Sequence, residues 1–277
     1  MDLFIFQLFC SFVAGAFVVV ASTWIAELFQ SRWGGFTAAI PTTTAVSFIF
    51  IAWTQGVDFA AAAANVTPAA QAGSLLFALV FVKTALRGGS ENKNFLQPLV
   101  FGLAAWIAVA LLVVSFKPTL WVSVAAFAPF FALFFVLMTL KKRERKKFVV
   151  AGLTARETLG RALLGGVVIM GTVLLAKAFG EAWGGVAGTF PAVFVSSLAI
   201  LTRRNGASFA DFFAKDFSFG IVANCVFAVS VALLLPSLGF ALGFVACYAI
   251  GLLAAAAFYA AFKFFSLNAE KKSLLNR

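Results

Sequence analysis

Apolar residues run along the chain in long unbroken stretches, each closed by a short cluster of charge, glycine or proline. Nine stretches are long enough to cross a bilayer as helices, which takes about 20 residues. They lie at 3–29, 35–54, 67–87, 95–116, 118–140, 157–179, 185–202, 211–235 and 238–262. Their ends are marked by Arg32, the Gly56–Val57–Asp58 stretch, Arg87–Gly88–Gly89, Lys117–Pro118, the 141–147 run, Glu181, Arg203–Arg204 and Pro236–Ser237. The stretches do not alternate with period two, so the pattern predicts a helical bundle and not a β-barrel. The expected fold is all-α: a polytopic helical membrane protein with about nine transmembrane helices.

Composition agrees. Of 277 residues, 63% are hydrophobic and 11% charged, against roughly 45–50% and about 25% in soluble domains. A soluble core of this chain length cannot hold so much apolar surface. The absence of histidine disfavours His-ligated zinc and His general bases. Cys10, Cys225 and Cys247 stand alone inside apolar stretches, without CxxC spacing, and read as small core residues. Nothing resembles a nucleophile–base pair, a metal cluster or a phosphate-binding loop, so neither an enzyme nor a bound cofactor or metal is expected. No Lys or Arg precedes Arg32, so no cleavable signal peptide is expected.

The net charge of +11 could point to nucleic acid, but its placement points to topology. Lys141, Lys142, Arg143, Arg145, Lys146 and Lys147, with Arg156 and Arg161, hold eight of the 21 positive charges. That loop is therefore expected in the cytoplasm. Counting spans outward puts Arg32, the Lys83/Arg87/Lys93 loop, Arg203/Arg204 and the Lys263–Arg277 tail on the same side. The N-terminus, Asp58, Lys117 and Glu181 fall outside. A multi-pass protein of a cell (inner) membrane results, N-terminus out and C-terminus in, with the lipid bilayer as its first partner. Thr154 and Glu157 form a capping-box signature at the start of the sixth span.

The chain also repeats itself. Residues 33–56 read WGGFTAAIPTTTAVSFIFIAWTQG and residues 183–206 read WGGVAGTFPAVFVSSLAILTRRNG. At an offset of 150, Trp33/Trp183, Gly34/Gly184, Gly35/Gly185, Pro41/Pro191, Ser47/Ser197 and Gly56/Gly206 coincide, and the register extends to Gly15/Gly165 and Phe77/Phe227. The repeat divides the chain into a first four-helix unit (1–116), a connecting helix and basic loop (117–156) and a second unit with the tail (157–277). Five crossings separate span 1 from span 6, so the two units are expected in opposite orientations, as in many secondary transporters. The pattern of Gly35, Pro41 and Gly56 around a Thr/Ser-bearing apolar helix resembles the GlpM-type small bacterial membrane proteins. Those are about half this length, so the resemblance implies a tandem inverted duplication of one such unit. It implies architecture and no particular solute.

A proline inside a span removes a backbone donor and breaks the helix. The freed polar groups must then face protein or water, never lipid. The candidate binding site therefore centres on Pro41 and Pro191 with nearby hydroxyls: Thr42, Thr43, Thr44 and Ser47 in one half, Thr189, Ser196 and Ser197 in the other. Gln71 and Asn224 are the best polar candidates deeper in the other spans. Glu27 and Lys177 occupy equivalent positions, Lys177 can pair with Glu181 at i,i+4, and the three are candidate gate or coupling residues. Trp24 and Trp106 could line a cavity or pack, and Trp33, Trp53, Trp121 and Trp183 suit an interfacial belt. GxxxG spacings at Gly180–Gly184–Gly188 and Gly239–Gly243 could serve the fold or a homodimer.

The expected function is a small secondary transporter or facilitator for a polar or anionic small solute. Two other classes compete. A lipid or amphiphile flippase, or a lipid-binding membrane protein, would suit 36 phenylalanines and few buried charges. An accessory membrane subunit would have no pathway at all.

Overall fold

Long apolar runs with few breakers leave the backbone one way to satisfy its polar groups inside a membrane, and the chain takes it. The computed structural model describes residues 3–28, 40–139 and 154–275, and these fold as helices with no strand among them. In chain order they are α1 (Leu3–Leu28), α2 (Thr42–Gln55), α3 (Val57–Ala64), α4 (Thr67–Arg87), α5 (Leu96–Phe116), α6 (Leu120–Thr139), α7 (Ala155–Phe179), α8 (Glu181–Ala187), α9 (Ala192–Asn205), α10 (Ala207–Leu238) and α11 (Phe240–Leu275). The protein is an all-α polytopic membrane protein. Eight helical segments among the described residues are long and apolar enough to span, with α8 and α9 together making one of them. The expected 35–54 span is described only from Ile40, as the 14-residue α2.

α1 and α7 run antiparallel: the Lys177 ammonium near the end of α7 stands 3.4 Å from the Phe4 ring centroid at the start of α1. Their crossing is closed by glycine. A Cβ placed on Gly15 would lie 2.5 Å from the Gly165 carbonyl oxygen, and one on Gly165 would lie 2.5 Å from that of Gly15. The centre of the bundle holds α4, α8–α9 and α10, each about two-thirds buried or more, while α1, α5, α6 and α11 turn most of their surface outward. A core of Phe77, Phe81, Phe194, Phe213 and Phe217 joins α4 to α9 and α10, with the Phe194 and Phe217 rings stacked 3.8 Å apart.

Element boundaries recur at the 150-residue offset. α2 and α9 span matching residues, each preceded by a proline and ended by a glycine at positive φ, Gly56 (98°) and Gly206 (80°). α10 spans the residues that match α3 and α4 together at that offset, without the break that those two have at Asn65–Val66, ahead of Pro68. The two corners lie at opposite ends. Gly56, the start of α1 and the end of α7 mark one face, where Gln7 Nε2 donates to the Trp53 carbonyl at 3.1 Å. Gly206, the start of α7 and the 88–95 loop mark the other, where the Ser208 amide donates to the Ser90 carbonyl at 3.0 Å.

Several expectations change. The Gly56–Asp58 stretch is not a loop: a single glycine turns the chain and α3 starts at once, because the Ala-rich run after Asp58 propagates as helix. Pro236 does not end its span, since α10 continues to Leu238 and turns at Gly239. Arg161 is no solvated anchor of the basic loop. It lies on the α7 stripe of Gly165, Ile169 and Thr172, which faces inward, and is 1% exposed. Trp24 lines no cavity and is 59% exposed on α1. The capping box is present, Thr154 Oγ1 accepting from the Glu157 amide at 3.3 Å and Glu157 Oε2 accepting from the Thr154 amide at 3.0 Å. The 141–147 run, residues 33–39 of the repeat and the Glu27 side chain lie outside the described residues.

Candidate functional site

The segment between α8 and α9 is a built break. Gly188 closes α8 through a 2.9 Å bond from its amide to the Gly184 carbonyl, and the Thr189 and Phe190 amides donate to Val186 and Ala187. Pro191 then sits at φ −83°, ψ 63°, with the Ala192 amide donating to the Phe190 carbonyl at 2.9 Å. This is an inverse γ-turn, which suits proline because its ring fixes φ and no amide is needed there. Pro41 repeats the arrangement at φ −72°, ψ 45°, with the Thr42 amide donating to the Ile40 carbonyl at 2.7 Å. The Ala45 amide donates to Pro41 and the Val195 amide to Pro191, both at 2.8 Å. Two copies of one local geometry thus start two short helices well inside the bundle. Each runs about 20 Å to its corner glycine at 1.5 Å per residue.

Four other helices close around the second break. Ser74 of α4 donates its hydroxyl to the Thr189 carbonyl at 3.3 Å. Trp106 of α5 stands edge-to-face with Phe190, ring centroids 5.2 Å apart. A Cβ on Gly188 would lie 3.3 Å from the Ser47 Cβ of α2 and 3.6 Å from the Thr172 Cγ2 of α7. On the preceding turn, Gly185 packs so closely on the Ala63 carbonyl of α3 that no larger residue fits, and Thr67 Oγ1 donates across to the Gly185 carbonyl at 3.5 Å.

The candidate hydroxyls divide into two groups. Thr189 and Ser196 donate back to their own chain, to the Val186 carbonyl at 2.7 Å and the Val193 carbonyl at 3.1 Å. Ser47 and Ser197, 150 positions apart, are 0% and 1% exposed, and neither hydroxyl has a hydrogen-bond partner among the described residues. The Trp106 indole N–H is buried in the same condition. An unpaired buried hydroxyl or N–H is costly, so these atoms mark where a polar guest or water gains most. Pro41, Thr43 and Thr44 are buried, and Thr42 and Pro191 half-buried. Gln71 and Asn224 are buried, at 2% and 8% exposure, on α4 and α10.

The expected gate residues are placed differently. Lys177 is exposed and lies over Phe4, and it forms no ion pair with the exposed Glu181. The cause is local: α7 ends at Phe179 and the chain turns at Gly180, so the two residues do not share a helix. An ion pair across elements joins Glu157 of α7 to Arg204 of α9. Sequence reasoning placed neither Arg204 nor Arg161 in the bundle. The signal for Arg161 was its spacing of four from both Glu157 and Gly165, which puts all three on one helical stripe.

Cys225 and Cys247 are buried and free, as small core residues. The chain matches no protein-family model, no curated protein and no solved structure.

Proposed function

We propose that the protein is a small secondary transporter or facilitator that moves a polar or anionic small solute by alternating access of two inverted repeats. The observation that carries this reading is the pair Ser47 and Ser197: equivalent, buried, unpartnered, each within two turns of a proline break of the same geometry. Broken helices whose amino ends stop inside the bilayer aim partial positive charge and free polar groups at one interior region. Two opposed copies of such an element have inward- and outward-open states of similar energy, which is what alternating access requires.

In this reading residues 1–116 and 157–277 are the moving halves and 117–156 the connector, a tandem inverted duplication of a GlpM-type unit. The Gly206 face, with Arg87, Lys93, Arg156, Arg203 and Arg204, is the cytoplasmic face of a cell membrane, and the Gly56 face is the outer one.

The test uses the full chain with Cys10, Cys225 and Cys247 changed to Ala, reconstituted in liposomes of known orientation. Ser47→Cys or Ser197→Cys then serves as a reporter for a small charged methanethiosulfonate reagent. A transporter gives labelling from both faces. Labelling by an apolar maleimide alone, with the charged reagent excluded from both faces, overturns a polar pathway and favours lipid handling. Protection from both reagents overturns any pathway.

A further inference from the structure

The two ends of the bundle are tied at equivalent positions by contacts of different strength. At the Gly56 face, Gln7 of α1 donates Nε2 to the Trp53 carbonyl in the last turn of α2, at 3.1 Å. The Phe6 ring stands edge-on to Trp53, centroids 6.4 Å apart. At the Gly206 face the residue 150 positions on from Gln7 is Glu157, and its carboxylate meets the Arg204 guanidinium in the last turn of α9. Arg204 lies one residue past the equivalent of Trp53. Glu157 is pre-oriented, because the same oxygen accepts from the Thr154 amide at 3.0 Å and the Thr154 hydroxyl at 2.9 Å. Arg161, buried one turn along α7, adds a second positive charge to that carboxylate.

We propose that Gln7–Trp53 and Glu157–Arg204 are the two gates of the transport cycle, one neutral and one charged, and that their inequality sets the resting state. The inference rests on the alternating-access reading above. Each tie clamps the first helix of a half to the corner end of its own broken helix, so opening a face requires that broken helix to swing away from its neighbour within the half, in addition to any rocking of one half against the other. A charge-assisted hydrogen bond is roughly twice as strong as a neutral one. Two repeats that otherwise exchange states of equal energy are therefore biased: the Gly206 face rests closed and the Gly56 face opens first. In this proposal the residues at the mouths are Gln7 and Glu157.

The experiment compares labelling rates of Ser197→Cys from the two faces, in the cysteine-free background and with the charged methanethiosulfonate. Glu157→Gln, which keeps a side chain able to reach the helix cap, is expected to raise the rate from the Gly206 face several-fold and lower it from the Gly56 face. Gln7→Ala is expected to shift the ratio the other way. Arg204→Gln is expected to move the ratio in the same direction as Glu157→Gln, and the double variant no further than either single one, whereas a general loss of packing would change the rates at both faces alike and add between the two. Equal changes at both faces, no change in either Glu157→Gln or Gln7→Ala, or additive shifts in the double variant overturn the gate assignment. The parent's own labelling decides the transport reading separately: a parent unlabelled from both faces sinks transport, whereas a labelled parent with unmoved ratios sinks only the gates.

Discussion

Gly15 and Gly165 face each other where α1 crosses α7, and each sits against the residue four positions past the other. A Cβ on Gly15 would lie 3.0 Å from the Ile169 Cβ, and one on Gly165 would lie 2.6 Å from the Val19 Cβ. Val19 and Ile169 are themselves 150 residues apart, so exchanging the helices reproduces the contact. Reciprocity of this kind is what a two-fold axis produces, and it supports the proposed opposition of the two halves.

Closing this crossing with a methyl group is therefore expected to destabilise from either side. Gly165→Ala should cost about 1–3 kcal/mol by overpacking, and Gly15→Ala a similar amount, read as lowered melting temperature in detergent. Gly160→Ala on the exposed face of α7, where a Cβ meets nothing within 4 Å, should be neutral or slightly stabilising, since alanine favours the helix. Equal effects at all three positions would show that the crossing is not a close contact.

The corner glycines offer a paired comparison. Gly56 (φ 98°, ψ 160°) and Gly206 (φ 80°, ψ 179°) adopt a backbone region that is essentially glycine's alone. Alanine should cost about 1–3 kcal/mol at each for the strain. At Gly206 the methyl would also come within 2.9 Å of the Ser90 carbonyl, which accepts from Ser208, whereas at Gly56 it meets nothing. Gly206→Ala is therefore expected to be the more damaging of the two in thermal unfolding, and a reversed order would contradict the 88–95 loop's seat on that corner.

Helix type and many boundaries were legible in the sequence because long apolar runs and charged stops dominate a membrane chain. The sequence marks Pro41 and Pro191 as places where a helix is interrupted, and the shared turn geometry at both is visible only in the structure. Three features were not legible, each for a tertiary reason. The burial of Arg161 depends on which stripe of α7 faces α1, and charge counting ignores facing. The use of Thr189 and Ser196 by their own carbonyls, against the idle hydroxyls of Ser47 and Ser197, depends on rotamers set by packing. The Lys177–Glu181 pairing failed because Gly180 ends α7 between them, and i,i+4 arithmetic presumes one continuous helix.

Sidedness has a direct measurement. Asp58 lies in the first turn of α3 beside Gly56, and Lys93 lies in the loop that packs on Gly206, both exposed. Asp58→Cys and Lys93→Cys should react with an impermeant maleimide from opposite faces of oriented vesicles, Lys93→Cys from the cytoplasmic one. Reaction of both from one face would rule out the arrangement of α3 and α4 as a single crossing.

The prolines separate a working break from a structural one. Changing Pro191 to Ala restores an amide that can donate four residues back to Ala187, which would let α8 run on into α9 and erase the turn that brings Thr189 to Ser74 and Phe190 to Trp106. Folding should survive, since alanine suits a helix and few contacts outside the turn depend on the proline ring. In the proposed cycle, exchange between the two access states should slow by tenfold or more, because a straightened α8–α9 commits one half to a single geometry. Pro41→Ala is expected to act in the same direction at the entrance to α2. The measurement is the pair of labelling rates at Ser47→Cys and Ser197→Cys beside the melting temperature of each variant. A lowered melting temperature with unchanged rates makes the prolines structural only, and unchanged values of both remove the broken helices from the mechanism.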